Sequence, residues 1–365
     1  DVLCLHAELA RAVAREIRAV VTPEEEERLE KQSRVNPVTL ESHLRARYFL
    51  AKLTPADVER AIGWFERAIA SDALFAEAHV GLANACIYRG LPLGADLSVT
   101  MQRQFLARGK EAAERALDLD EKLGEAHAAI GLTFLFHDWN WPGAERALER
   151  ALELGSNSPY SHANRAILAS TKLDHAETLE QLRSAIDLDP VNLLVRAEAG
   201  EICYWVRDYS QAIAYASQTL EFDPAFPRAH FVLGRVYEAQ GKIEEAITEY
   251  EQAGLVTASG AAAARRAFER GRAAAYHRWA LRARLWGMGS RSVDGAKSPR
   301  LADIRRFYCA KAYARLGEVH KAVDCLEQSH EERECMLVLL KAAEWCDPLR
   351  SDAHFEDLVR RVGIP

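Results

Sequence analysis

The stretch HFVLGRVYEAQGKIEEAITEYEQA, His230 to Ala253, contains two helical patterns joined at a glycine. Gly234 lies in the first, Gly241 occupies the break, and Ala246 and Ala253 lie in the second. Apolar residues recur at three- and four-residue spacing on either side of the break, which is the period of a helix rather than the period of two of a strand. The stretch therefore reads as a helix, a tight turn and a second helix folded back on the first.

The same phrase recurs along the chain. A small residue stands a few places before an acidic or proline turn at Ala68, Ala116, Ala151, Ala185, Thr219, Ala253 and Ser329. From Ala151 onward the steps to Ala185, Thr219 and Ala253 are 34 residues each. A second small series, Ala83, Gly131, Ala166, Gly200, Gly234 and Ala310, falls in the first helix of each unit. A third, Ala61, Ala144, Ala212, Ala246 and Ala322, opens the second helix. Small side chains let the two helices approach closely, and larger ones such as Leu82, Ile130, Leu233, Tyr237 and Tyr313 fill the space between hairpins. Asp189-Pro190 and Asp223-Pro224 mark helix ends, and Gly241 and Gly317 mark turns within hairpins.

These 34-residue phrases resemble tetratricopeptide repeats. The resemblance implies an all-α solenoid of antiparallel helical hairpins, with about seven to eight repeats. The expected organisation is N-terminal helices over 1–37, a repeat array over 38–330, and capping helices over 331–365. Within the array, 85–108 is lengthened and 254–300 loses the period, with a degenerate hairpin expected there. A narrower resemblance rests on DVLCLHAELARAVAREI with VTPEEEERL, HDWNWPGAERALERALEL, KAYARLGEVHKAVDCLEQSHEERE and CDPLRSDAHFEDLVRRVGIP. Together these phrases are similar to the C-terminal repeat half of bacterial signalling proteins. In that family a winged-helix domain, nucleotide cyclase or Ser/Thr kinase precedes a TolB-like domain and the repeats. The opening residues resemble the end of the TolB-like domain, which implies a piece of a longer protein.

Composition narrows the function classes. The chain has 365 residues, 49% apolar and 28% charged, with a net charge of −7, so the average gives no reason to expect nucleic acid. Seven cysteines, irregularly spaced and without a C-x-x-C pair, suggest neither a disulfide framework nor a zinc module, and read as reduced thiols in the cytoplasm. No apolar run approaches the roughly 18 residues of a membrane span. Nucleotide-binding, hydrolase and zinc-protease motifs are absent, and GMGSRS lacks a preceding strand and a phosphate-binding lysine. The chain is therefore expected to have no catalysis and no cofactor.

Two sets of residues invite sharper readings. His79, His127, His162 and His230 share one repeat position, with Arg196 in the unit between, so they form a ladder and cannot converge on one metal ion. Trp139 and Trp141 flank Asn140 at a hairpin corner, where apolar plugs over the ends of adjacent hairpins explain them better than a ligand box.

The concave face of such an array binds peptide segments. Counting along the first helices, the places facing it hold Asn84, Tyr88, Phe136, Asn164, Glu201, Trp205, Phe231, Arg235 and Lys311. The expected partner is a protein or peptide, with self-association left open and no membrane. The Lys and Asn clamp for chaperone tails is not matched, because the corresponding places hold Val80 with Asn84 and Ala128 with Leu132. The alternative is nucleic-acid binding by 261–306, where eleven arginines and Lys297 stand against Glu269, Asp294 and Asp303 among aromatic residues. A bland explanation, arginines lying over their own aromatics, is preferred to it. A small-molecule sensor is a third reading, by analogy only.

Overall fold

The computed structural model describes residue 12 and residues 35–91, 97–155, 157–285 and 306–365. The helices expected before residue 35, and the parts of the two irregular stretches at 92–96 and 286–305, lie outside the described residues. The rest is an all-α solenoid of antiparallel hairpins, with no strand among the described residues.

Seven hairpins follow one another among the described residues. They are α1 (Pro37–Leu50) with α2 (Pro55–Ser71), α3 (Ala76–Gly90) with α4 (Val99–Leu119), and α5 (Gly124–Thr133) with α6 (Trp141–Leu154). Then come α7 (Pro159–Thr171) with α8 (His175–Leu188), α9 (Leu193–Trp205) with α10 (Tyr209–Phe222), and α11 (Pro227–Ala239) with α12 (Ile243–Gln252). Helix α13 (Ala258–Leu285) is broken at Gly271 and Arg272, which takes the place of a regular hairpin. Helices α14 (Arg306–Arg315) and α15 (Val319–Glu331) form the last pair. Two 3-10 turns, Cys335–Leu339 and Glu344–Leu349, and α16 (Ala353–Val362) end the chain.

The three small-residue series sit where paired helices meet. Ala83, Ala166, Ala310, Ala61, Ala144, Ala212, Ala246 and Ala322 are fully buried. A Cβ at Gly131 would stand 2.7 Å from the Leu148 side chain, and one at Gly234 2.6 Å from the Tyr250 ring. No room exists there for a larger residue. Ala253 departs from its series: it caps the short helix α12 and is only half-buried, because the regular next hairpin that would cover it is missing.

Hairpin turns share one backbone solution. The residue two places before the second helix has positive φ at Leu53, Trp139, Leu173, Arg207, Gly241 and Gly317. The next residue then caps that helix, with the side chains of Thr54, Asn140, Asp174 and Asp208 accepting from N–H groups of the first turn. The turn is thus periodic in conformation even where glycine is missing from the sequence.

The histidine ladder stabilises the opposite loops, between hairpins. His79, His127 and His230 each bring Nε2 to a backbone carbonyl six residues earlier, those of Ala73, Glu121 and Pro224, at 3.1, 2.9 and 2.9 Å. Arg196 donates to the Pro190 carbonyl in the same way. His162 faces the Gln181 side chain at 2.7 Å.

Two alanine substitutions separate backbone conformation from packing, since at neither glycine does an atom lie within 4 Å of the place a Cβ would take. Gly241→Ala forces an L-residue to φ +77° and is expected to cost about 1 kcal/mol. Gly63→Ala, inside α2, is expected to gain about 0.5 to 1 kcal/mol. Thermal or urea unfolding reads both; a shift of the same sign for the two variants contradicts the turn assignment.

Candidate functional site: the concave face

The last residues of the chain return to the array. The turn Cys335–Leu339 packs against the π-helical turn Phe134–Asp138 that ends α5. Tyr204, near the end of α9, donates to Glu344 at 2.8 Å, and Arg315 of α14 donates to the other oxygen at 2.6 Å. Arg207 forks onto Asp347 at 2.8 and 2.7 Å. Trp345 meets Phe307 edge to face at 5.1 Å between ring centres. Leu337, Val338, Leu340, Cys346 and Leu349 are fully buried, so this segment is core rather than appendage.

The two tryptophans plug a corner, both belong to the core, and the last hairpin and the end of the chain are among what they meet. Trp139 meets the His330 ring at a tilt, 5.4 Å between ring centres, and lies under the Arg333 guanidinium at 4.3 Å. Trp141 comes within 3.9 Å of the position a side chain at Gly363 would take.

An open cavity of ≈ 1110 Å³ remains in the N-terminal half, lined in part by the residues around the starts of α5, α7 and α9. Of the nine groove residues counted from sequence, Asn84, Tyr88 and Asn164 line it together. Arg47, Tyr160 and Asn192 also line it and were not among the nine. Asn192 donates from its amide to the Tyr160 hydroxyl at 3.2 Å while its carbonyl caps α9. Its signal in the sequence was the capping position, and a count along helix middles passes over it. Behind this wall the Tyr88 hydroxyl lies 3.5 Å from Glu198, whose carboxyl burial pushes up.

The other six do not line this cavity. Phe136 is buried in the π-helical turn, and Trp205 is buried at the end of α9. Glu201 pairs with Arg228 at 2.8 Å and with Arg235 at 3.0 Å. Arg235 also lies over the rings of Tyr204 at 4.2 Å and Phe231 at 5.4 Å. Lys311 donates to Glu238 at 2.7 Å, and Tyr250 donates to the same carboxylate at 2.8 Å. Burial alone would push Glu238 up; Lys311, with His277 nearby, overrides it and holds the carboxyl far below the usual carboxylate range. These are internal ties, most of them from one first helix to another.

In the arginine-rich region the aromatics that are described face inward. Tyr276 packs with Ile243, Ile247, Ala261 and Ala264, with Phe268 and Trp279 against them. Arg265 pairs with Glu251 at 3.0 Å, and Arg272 lies over Phe268 at 5.8 Å. Trp286, Lys297, Asp294, Asp303 and three of the arginines, Arg291, Arg300 and Arg305, fall outside the described residues. Among the described residues no group of three or more His, Cys, Asp or Glu could hold a metal ion, and no helix is long and apolar enough to cross a membrane. Burial pushes the thiols of Cys86 and Cys203 up to about 12, far from a reactive thiolate.

Residues 206–268, from the turn after α9 through the first part of α13, match the family model described as tetratricopeptide repeat. That stretch carries the tetratricopeptide pattern. Hsp70-Hsp90 organizing protein 2 of Arabidopsis thaliana is 26% identical over 117 residues, which is 32% of this chain and 20% of that protein. The chain thus spans about a fifth of the length of that curated relative. Among solved structures, a human IFIT1 dimer with m7Gppp-AAAA is similar with a TM-score of 0.51 at 15% identity, over 93% of this chain and 79% of that one, which shows a shared fold. The structure of yeast Tom70 covers 90% of this chain and 65% of its own, with a TM-score of 0.42 and 13% identity.

The repeat array makes Lys311 a structural test. Lys311→Met leaves Glu238 buried without its ammonium and is expected to cost about 3 to 5 kcal/mol in urea unfolding. Replacing both, Lys311→Met with Glu238→Leu, is expected to recover most of that loss. Parent-like stability of the single variant would return Lys311 to an open groove.

Proposed function

We propose that the chain is a non-catalytic scaffold that holds a peptide segment of another protein in the N-terminal half of its concave face. The observation that carries this is the ≈ 1110 Å³ cavity with Asn84, Asn164 and Asn192 on its wall. An amide side chain offers both donors and an acceptor, the same pair of functions that an extended peptide backbone presents. A relative whose name marks it as an organizer of two other proteins supports the scaffold role. The chaperone-tail clamp is not part of the proposal, since Val80 and Leu132 stand on this cavity's wall where that clamp needs polar groups.

We further infer that the scaffold serves a larger cytoplasmic bacterial signalling or transcription-regulating protein. The four phrases that resemble the repeat half of such proteins support this reading.

A display library of random peptides, selected against the full chain, tests the binding role. Enriched peptides are expected to lose about tenfold or more in affinity for the variant Asn84→Ala with Asn164→Ala, at unchanged melting temperature, since two hydrogen bonds are removed. No enrichment, or binders indifferent to the double variant, contradicts it.

A further inference from the structure

Along the cavity's lining four first helices begin where a second helix has just ended. Helix α3 follows α2, α5 follows α4, α7 follows α6 and α9 follows α8. The partial positive charge at a helix start, about half an elementary charge, is met by an equal negative one at the neighbouring helix end. The dipoles offset one another there, and side chains set the sign of the field.

Those side chains are acidic. Six carboxylates line the cavity, from Glu77 on α3 to Asp189 before α9, against two cations, Arg47 and Lys122. His43 on the same wall adds no charge at neutral pH, because burial, and then Arg47, holds it down to about 4. Glu77, Asp118, Glu121 and Glu125 are exposed at the rim, while the uncharged Asn84, Tyr88, Tyr160 and Asn164 lie deeper. The depth order is a neutral polar floor under an acidic rim.

We infer that the segment held in this cavity is cationic, an extended peptide of a partner protein bearing Lys or Arg, with its main chain along the floor and its charged ends at the rim. This rests on the peptide-holding role proposed above. Lysine and arginine suit the depth order, since their apolar stems lie against a wall while the charge stays in water. Polyphosphates and acidic tails are repelled by the same rim.

The test uses the full chain and three pools of fluorescein-labelled decapeptides, carrying Lys/Arg, Asp/Glu, or only neutral residues at alternate positions, read by fluorescence anisotropy. The basic pool is expected to bind about tenfold or more above the acidic pool, and to weaken as salt is raised, because exposed pairs are screened. Reversing the rim charges, Glu77→Lys with Glu125→Lys, is expected to cost the basic pool about tenfold, from the lost exposed pairs and the new repulsion. Reversals on second helices away from the cavity, Glu180→Lys with Glu221→Lys, are expected to change little. A preference for the acidic pool, or equal effects of the two reversals, overturns the inference. Equal binding of neutral and basic pools, lost in Asn84→Ala with Asn164→Ala, overturns it while the peptide-holding role stands; binding of no pool overturns both. Sedimentation showing a dimer that the rim reversal dissolves would assign the cavity to a second copy of the chain and also overturn it.

Discussion

The carboxylate of Glu344, held between the Tyr204 hydroxyl and the Arg315 guanidinium, ties the end of the chain to the middle of the array. A helical-repeat array otherwise touches only its neighbours and leaves its concave face open along its whole length. Here the tie, with the fork of Arg207 onto Asp347, brings an apolar segment across the ends of the first helices. Breaking one partner of such a pair is costly, because the remaining charge stays half dry. The result is a groove divided in two, with the C-terminal half filled by the protein itself.

Small residues where paired helices cross bring them close, and the array places Tyr88 of α3 beside Glu198 of α9, 110 residues on. Buried ions follow the inner wall: Glu198 and Glu201 with Arg228, Glu201 with Arg235, Glu238 with Lys311. Each links one first helix to another, which ties pitch to side-chain chemistry. Where this chain of contacts ends, toward α1, the wall opens into the cavity.

Local regularity was legible in the residues; distant contacts were not. The spacing of Ala151, Ala185 and Thr219 sufficed for the hairpins, since helix pairing is decided within about forty residues. Ala253 misled because the hairpin it ends is followed by the broken helix α13 rather than by a regular hairpin. The left-handed turn was visible at Gly241 and Gly317 but hidden at Leu53, Trp139, Leu173 and Arg207, which adopt it at a steric cost of roughly 1 to 2 kcal/mol each. Counting along first helices found Asn84, Tyr88 and Asn164, and it also returned Trp205, Arg235 and Lys311, because facing inward looks the same whether a partner or the chain's own end lies opposite. No periodicity marks Glu344 or Asp347 as the residues that cover the groove.

Amide hydrogen exchange on the full chain addresses the division of the groove most directly. If the C-terminal segment is core, the amides of Leu340, Ala343 and Cys346, which bond to Leu337, Leu339 and Ala343, exchange only through the same global opening as α9 and α11. Exchange of those amides orders of magnitude faster, while α9 and α11 stay protected, would show that the segment leaves the array and that the whole concave face is open.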